Sequence, residues 1–289
     1  MKYILTGLMA LVVAGPAAAT SLRITIQNDA AASGFAITPV YSAFHDGRFD
    51  AFNVGEEASD GLRTLAELGG FGTVRAEREA ATTTAGVVTS TGAASPFITP
   101  DGPRPIFGGE SVTTEVEITD VTAQRYFTFL SMIIPTNDLF IGNDNAIELF
   151  DSAGNFNGTQ VLSITGANLY DAGTEVNNPN ANPAFVAGVS GMNALIDPLD
   201  ASLGSLADEN GVVMDDAFGE LERYNGLLTA GGFTLDAQQD LFGLASAFNI
   251  ATITIEQIAA PVPLPAGSAL LLSGLGVGAV MARRKKKKA

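Results

Sequence analysis

The run from Tyr126 to Ile134, YFTFLSMII, most narrows what this chain can become. It is dense in aromatic and branched residues, short, and stopped abruptly by Pro135. That composition and length predict a strand buried in a core rather than a helix. The chain then turns through Asn137 and Asp138 into Leu139-Phe140-Ile141 and Gly142, so the strand delivers one carboxylate, Asp138, to a loop at its end. Further along, YDAGTE places Asp171 and Glu175 around a glycine turn. Three carboxylates on two loops could form an oxygen-only cage, the kind a hard cation such as Ca2+ prefers.

The remaining strands read from period two. Leu22, Ile24 and Ile26 share one face of the first segment, and Val112, Thr114, Val116 and Ile118 point inward opposite Glu115 and Glu117. Phe35 to Phe44 reads as a strand that Pro39 relegates to an edge or a bulge. Val161–Thr165 and Asn249–Ile258 are two more. Glu57 to Leu68 is expected to be a short helix with acidic residues at its start and Gly69-Gly70 at its end. Phe71 to Gly109 reads as a long surface excursion with one short strand near Val88. Asp216 to Leu228 carries some helix, and Thr234 to Phe248 reads as a better one.

SMIIPTNDLFIG (Ser131–Gly142), YDAGTE (Tyr170–Glu175) and FHDGRFDAFNVGEEASDGLRTLAELG (Phe44–Gly69) resemble the three signature segments of the spondin amino-terminal domain, in the same order. The resemblance covers most of residues 21–258. It implies an all-β fold, an antiparallel C2-like β-sandwich with short helices in its loops, over residues 20–258. It also implies a calcium ion held at one end of the sandwich, with metal ligands at Asp138, Asp171 and Glu175. Glu175 departs from the aspartate usual in the family, keeping the charge but adding a methylene.

Both ends of the chain read as export signals. Residues 1–19 have the form of a signal peptide: Lys2, an apolar run from Ile4 to Ala14, then Ala17-Ala18-Ala19 as a cleavage site. Residues 259–266 are a Pro-rich spacer ending in Val262, Pro263, Leu264, Pro265 and Ala266. An apolar segment, 267–282, follows and is expected to be a C-terminal transmembrane helix. Counted from Leu264 it is about 19 residues, enough to span a bilayer. The basic tail, 283–289, should stay in the cytoplasm. This arrangement resembles the VPLPA form of the PEP-CTERM sorting signal of Gram-negative bacteria. The resemblance implies processing by an exosortase, an inner-membrane precursor, and release or attachment at the cell exterior. A plain tail anchor is the other reading.

Composition bounds the function. The chain has 289 residues and no cysteine, so an exported fold must stand without disulfides on a core drawn from its 46% hydrophobic residues. Apart from Lys2 and the six basic residues of the tail, the basic complement is eight arginines, set against 31 acidic residues. A body charge of −23 repels nucleic acid and anionic lipid and attracts divalent cations.

His45 is the only histidine, and no GxSxG or HExxH accompanies it. A loop residue in the His45-Asp46-Gly47 turn, making a structural hydrogen bond, is its expected role. Asp144 stands near enough to Asp138 to be a candidate extra ligand, whereas Asp151 is expected to cap a turn. The sequence therefore favours a non-enzymatic, calcium-binding adhesion or matrix module with an unidentified extracellular ligand. The alternatives are a structural biofilm or surface-layer component and a metal-assisted extracellular hydrolase. The last is weakened by the absence of tryptophan, a frequent stacking residue in sugar-binding clefts.

Overall fold

A computed structural model describes residues 20–82, 88–90, 98–99, 102–103, 105–180, 211–215, 217–229, 232–236 and 248–258. The chain divides into two compact units, Met1–Ile258 and Ala259–Ala289, and the second lies outside the described residues. The signal peptide, the Val262–Ala266 motif, the apolar segment 267–282, the basic tail and most of the expected helix at 234–248 also lie outside them. No described helix is long and apolar enough to cross a membrane.

In chain order the strands are β1 (Thr20–Asn28), β2 (Ala36–Ile37), β3 (Tyr41–His45), β4 (Val88–Ser90), β5 (Ile98–Thr99), β6 (Gly102–Pro103), β7 (Ser111–Ile118), β8 (Tyr126–Ile134), β9 (Leu139–Gly142), β10 (Ile147–Glu148), β11 (Gln160–Thr165), β12 (Leu169–Asp171) and β13 (Asn249–Ile258). Two helices, α1 (Asp60–Leu68) and α2 (Gly72–Ala81), lie between β3 and β4. One large sheet runs β11-β13-β1-β7; the other runs β12-β9-β8-β3-β4, with β2 and β10 also pairing β8; β5 and β6 pair apart as a two-stranded ribbon. All of these pairings are antiparallel.

The two sheets share one core. Leu22, Ile24 and Ile26 of β1, Val112, Val116 and Ile118 of β7, and Ile253 and Ile255 of β13 meet Phe44, Phe127, Phe129, Ile133 and Ile141 of the other sheet. Strict alternation on β7, exposed then buried through all its residues, is what one wet and one dry face requires. β8 is different. From Phe127 onward every residue is buried, because the other sheet covers one face and α1 the other. That double cover explains its continuous apolar composition.

Pro39 splits the expected strand over Phe35–Phe44 into β2 and β3, both still paired to β8. α1 begins at Asp60 rather than Glu57. Ser59 caps it by accepting from the Leu62 amide at 3.1 Å, and Gly69, with φ of 66°, closes it. The main correction concerns α2, where a surface excursion was expected. It packs on α1 so closely that a Cβ at Gly61 would stand 2.6 Å from the Val74 Cα. Glu77 of α2 accepts from the Gly61 amide at 2.7 Å and from the Ser59 hydroxyl at 2.8 Å, so the second helix completes the N-terminus of the first.

His45 ends β3 fully buried. Its Nδ1 accepts from the Gly47 amide at 3.1 Å, which leaves the proton on Nε2 to be donated to Thr128 Oγ1 at 3.0 Å. Burial pushes the imidazole down to about 4; Arg78 acts in the same direction and Asp46 opposes it. Nε2 thus ties the end of β3 to β8, and Nδ1 holds the turn that follows it.

Candidate metal centre

The site is built by strand register. β8 ends at Ile134, and Pro135 to Asp138 carry the chain over into β9. β12 then pairs β9 with Leu169 opposite Ile141, Tyr170 opposite Phe140 and Asp171 opposite Leu139. That register sets Asp171 beside the residue that follows Asp138. It is held from behind by three rings: Phe52 lies 5.0 Å from Phe140 and 4.8 Å from Tyr170, and Phe140 lies 5.5 Å from Tyr170. Gly173, with φ of 66°, then turns the chain so that the next two amides face Asp138.

Asp138 is the centre of the arrangement. It is fully buried, and its Oδ2 accepts from the Thr174 amide at 2.7 Å, the Glu175 amide at 2.9 Å and the Thr174 hydroxyl at 3.1 Å. Its Oδ1 is buried and finds no hydrogen-bond partner. Asp171 Oδ1 accepts from the Gly173 amide at 2.7 Å, and its Oδ2 accepts from Asn177 Nδ2. Glu175 Oε2 accepts from Asn137 Nδ2 at 3.2 Å. Glu175 is 1% exposed and Asp171 8%.

Electrostatics tie the three together. Burial holds the Asp138 carboxyl well above the usual carboxylate range, and the charge of Asp171, then that of Glu175, pushes it the same way. The two loop amides pull against this. An ionised Asp138 is therefore costly as it stands, since a carboxylate out of water needs compensation.

The carboxylates are neighbours without forming a closed ligand cluster. Among the described residues no group of three or more His, Cys, Asp and Glu side chains gathers closely enough to hold a metal ion. The donor chemistry nonetheless fits a hard cation: oxygen ligands only, two of them nearly inaccessible, and one buried oxygen left over. Asp144 does not join the set through any contact in the structure. Its Oδ2 accepts from the Asn145 side chain at 3.0 Å. Asp151 caps its turn, accepting from the amides of Ala153 and Asn155 at 2.9 and 2.8 Å.

Four residues not singled out in the sequence complete the site: Asn137, Thr174, Asn177 and Tyr224. Tyr224 lies in a short 3-10 helix, Phe218–Tyr224, and is fully buried. Its hydroxyl donates to Asn137 Oδ1 at 2.5 Å, accepts from the Asn137 amide at 3.3 Å and lies 3.2 Å from Asn177 Oδ1. Asn137 and Thr174 adjoin the acidic residues and could have been read from that. Tyr224 carried no local signal.

The architecture defines the class: a two-sheet antiparallel β module with an acidic pair of loops at one end of a sheet. The Spondin_N family model matches residues 32–187, more than half of the chain, and the chain belongs to that family, the spondin amino-terminal domains. The match contains Asp138, Asp171 and Glu175 and excludes β1, β13 and Tyr224. Membership places the chain among extracellular spondin-like modules. A search of curated proteins finds no match.

Proposed function

We propose that this is a calcium-dependent adhesion or matrix module, exported and sorted to the cell exterior through its C-terminal tail. The observation that carries the calcium reading is Asp138, whose buried Oδ1 lacks a partner while Asp171 and Glu175 crowd the same end of the sheet. Asp138, Asp171 and Glu175 would hold the ion. Bound there, it would supply positive charge beside the unpartnered Asp138 Oδ1 and tie the Thr136–Asp138 loop to the Asp171–Glu175 loop. Export and sorting rest on the sequence features at the two ends, with an exosortase-type enzyme as the processing partner.

A non-enzymatic role is supported by His45, whose two nitrogens are spent on Thr128 and Gly47 and whose ring is buried. Such an imidazole is poorly placed to act as a general base.

The test is thermal unfolding of the purified protein in chelator and in calcium, with Asp138→Asn and Asp171→Asn alongside. Calcium should raise the melting temperature, by an amount equivalent to about 2.7 kcal/mol at a hundredfold excess over Kd. Both substitutions should remove that gain. An unchanged melting temperature at millimolar calcium would sink the reading.

A further inference from the structure

A buried cation lies where α2 meets β3, away from the carboxylate site. Tyr41, Ala43 and His45 share one face of β3, and Tyr41 and Ala43 join Val74 of α2 in one apolar cluster. Phe71, Arg75 and Arg78 follow helical spacing along α2 and its N-terminal cap. Phe71 stacks on Tyr41 with ring centroids 6.5 Å apart, and the Arg75 guanidinium lies 5.4 Å over the Phe71 ring. Arg78 reaches further in. Its side chain is 1% exposed, and its charge is felt at both Tyr41 and His45.

That guanidinium is poorly compensated. Its Nη2 donates to Glu79 Oε1 at 3.2 Å, but the Glu79 side chain is 56% exposed and keeps its charge in water. Arg78 Nε and Nη1 are buried, and no described residue accepts from them. The Tyr41 hydroxyl is buried beside them, and its proton has no acceptor among the described residues. An arginine cannot escape this cost by losing its proton, as a buried lysine can. Nor does the phenol ionise to supply the counter-charge: burial pushes it up to about 12, with Arg78 and then Arg75 opposing. Donors gathered in this way around a buried positive charge call for an acceptor that is negatively charged.

We propose that the Arg78 guanidinium and the Tyr41 hydroxyl form a binding site for a small monovalent anion of the chloride class. Closure sets the size. Arg78 and Tyr41 are both buried to within 1% of full cover, which admits a compact ion and bars an anion carried on a peptide or a sugar. The body of the chain is strongly acidic and holds anions away at long range, so binding depends on these local, desolvated donors. Bound there, the ion accepts from the guanidinium and the phenol at once and pins α2 to β3.

Thermal unfolding of the full-length protein in chelator tests this, with sodium chloride against sodium gluconate, an anion too large for the site, at a matched ionic strength of about 0.15 M. Chloride should raise the melting temperature by about 2–4 °C. Arg78→Met, which keeps an apolar stem and leaves no buried charge, should melt alike in both salts. Tyr41→Phe, which keeps the ring, should weaken the apparent chloride affinity by about tenfold in a salt titration. Crystals of the parent grown in bromide should show an anomalous peak in contact with Arg78 and Tyr41, a readout that needs no variant to fold. Equal melting of the parent in both salts would overturn the site. So would a chloride gain that survives Arg78→Met, undiminished chloride affinity in Tyr41→Phe, or a water in place of bromide beside Arg78. Chelator is present throughout, so each of these outcomes leaves the calcium reading untouched.

Discussion

Lowering the pH should unload stability through one residue, His45. Its neutral ring is held by two hydrogen bonds, and protonating Nδ1 would destroy the bond from the Gly47 amide while burying a charge near Arg78. The folded pKa of about 4 lies below the ordinary 6.5. The unfolded chain therefore binds a proton first as pH falls. Stability from this group is complete above pH 6.5 and is lost as pH falls through the folded value. Linkage with these two values gives a loss of about 2 kcal/mol by pH 5 and about 3 kcal/mol by pH 4, as upper figures.

Carboxylates titrate in the same range, so the measurement is a difference. Urea unfolding of the parent and of His45→Gln, from pH 7.5 down to pH 4 in chelator, should give curves that converge as pH falls. The parent loses its advantage because glutamine cannot titrate. Since His45 is the only histidine, a nitrogen-detected NMR titration reads its tautomer and pKa without assignment. Parallel stability curves, or an imidazole titrating near 6.5 with its proton on Nδ1, would refute the argument.

Gly61→Ala should destabilise even though alanine favours a helix interior by up to about 1 kcal/mol. The new methyl would meet the Val74 backbone and the Glu77 carboxylate, and the net loss should be about 1–2 kcal/mol by thermal unfolding. Ser59→Ala should cost about 1–2 kcal/mol in the same assay, removing the cap of α1 and one donor to Glu77. Asp138→Asn should raise the melting temperature in chelator at pH 7. The raised carboxyl pKa means stability is lost as pH rises above the ordinary range, and asparagine escapes that loss while its oxygen still accepts from Thr174 and Glu175.

Residues whose environment repeats along the chain were legible. β7, β1 and β13 each turn one face to water, so their period of two is visible in sequence; β8 is covered on both faces and reads as an unbroken apolar run. α2 was not legible from periodicity, because its inward face is Val74 and a buried arginine, Arg78, rather than a leucine stripe. Its only advance sign was local composition, the run RAEREAA of strong helix formers.

The site divides along the same line. Asp138, Asp171 and Glu175 stood out because acidic residues at strand ends are chemically conspicuous, and the β9–β12 register then brings them to one end of the sheet. What sequence spacing could not supply is the company they keep. Tyr224 reaches Asn137 across 87 positions, through a segment whose composition suggested only loop and partial helix. A phenol buried among three carboxylates is raised well above its usual pKa, chiefly by burial and then by Asp138. The protonated phenol keeps its one donor for Asn137 Oδ1, which fixes which end of that amide faces Glu175. The residue that braces the Asn137 side of the site is thus one least able to announce itself, because its role exists only once the chain has closed.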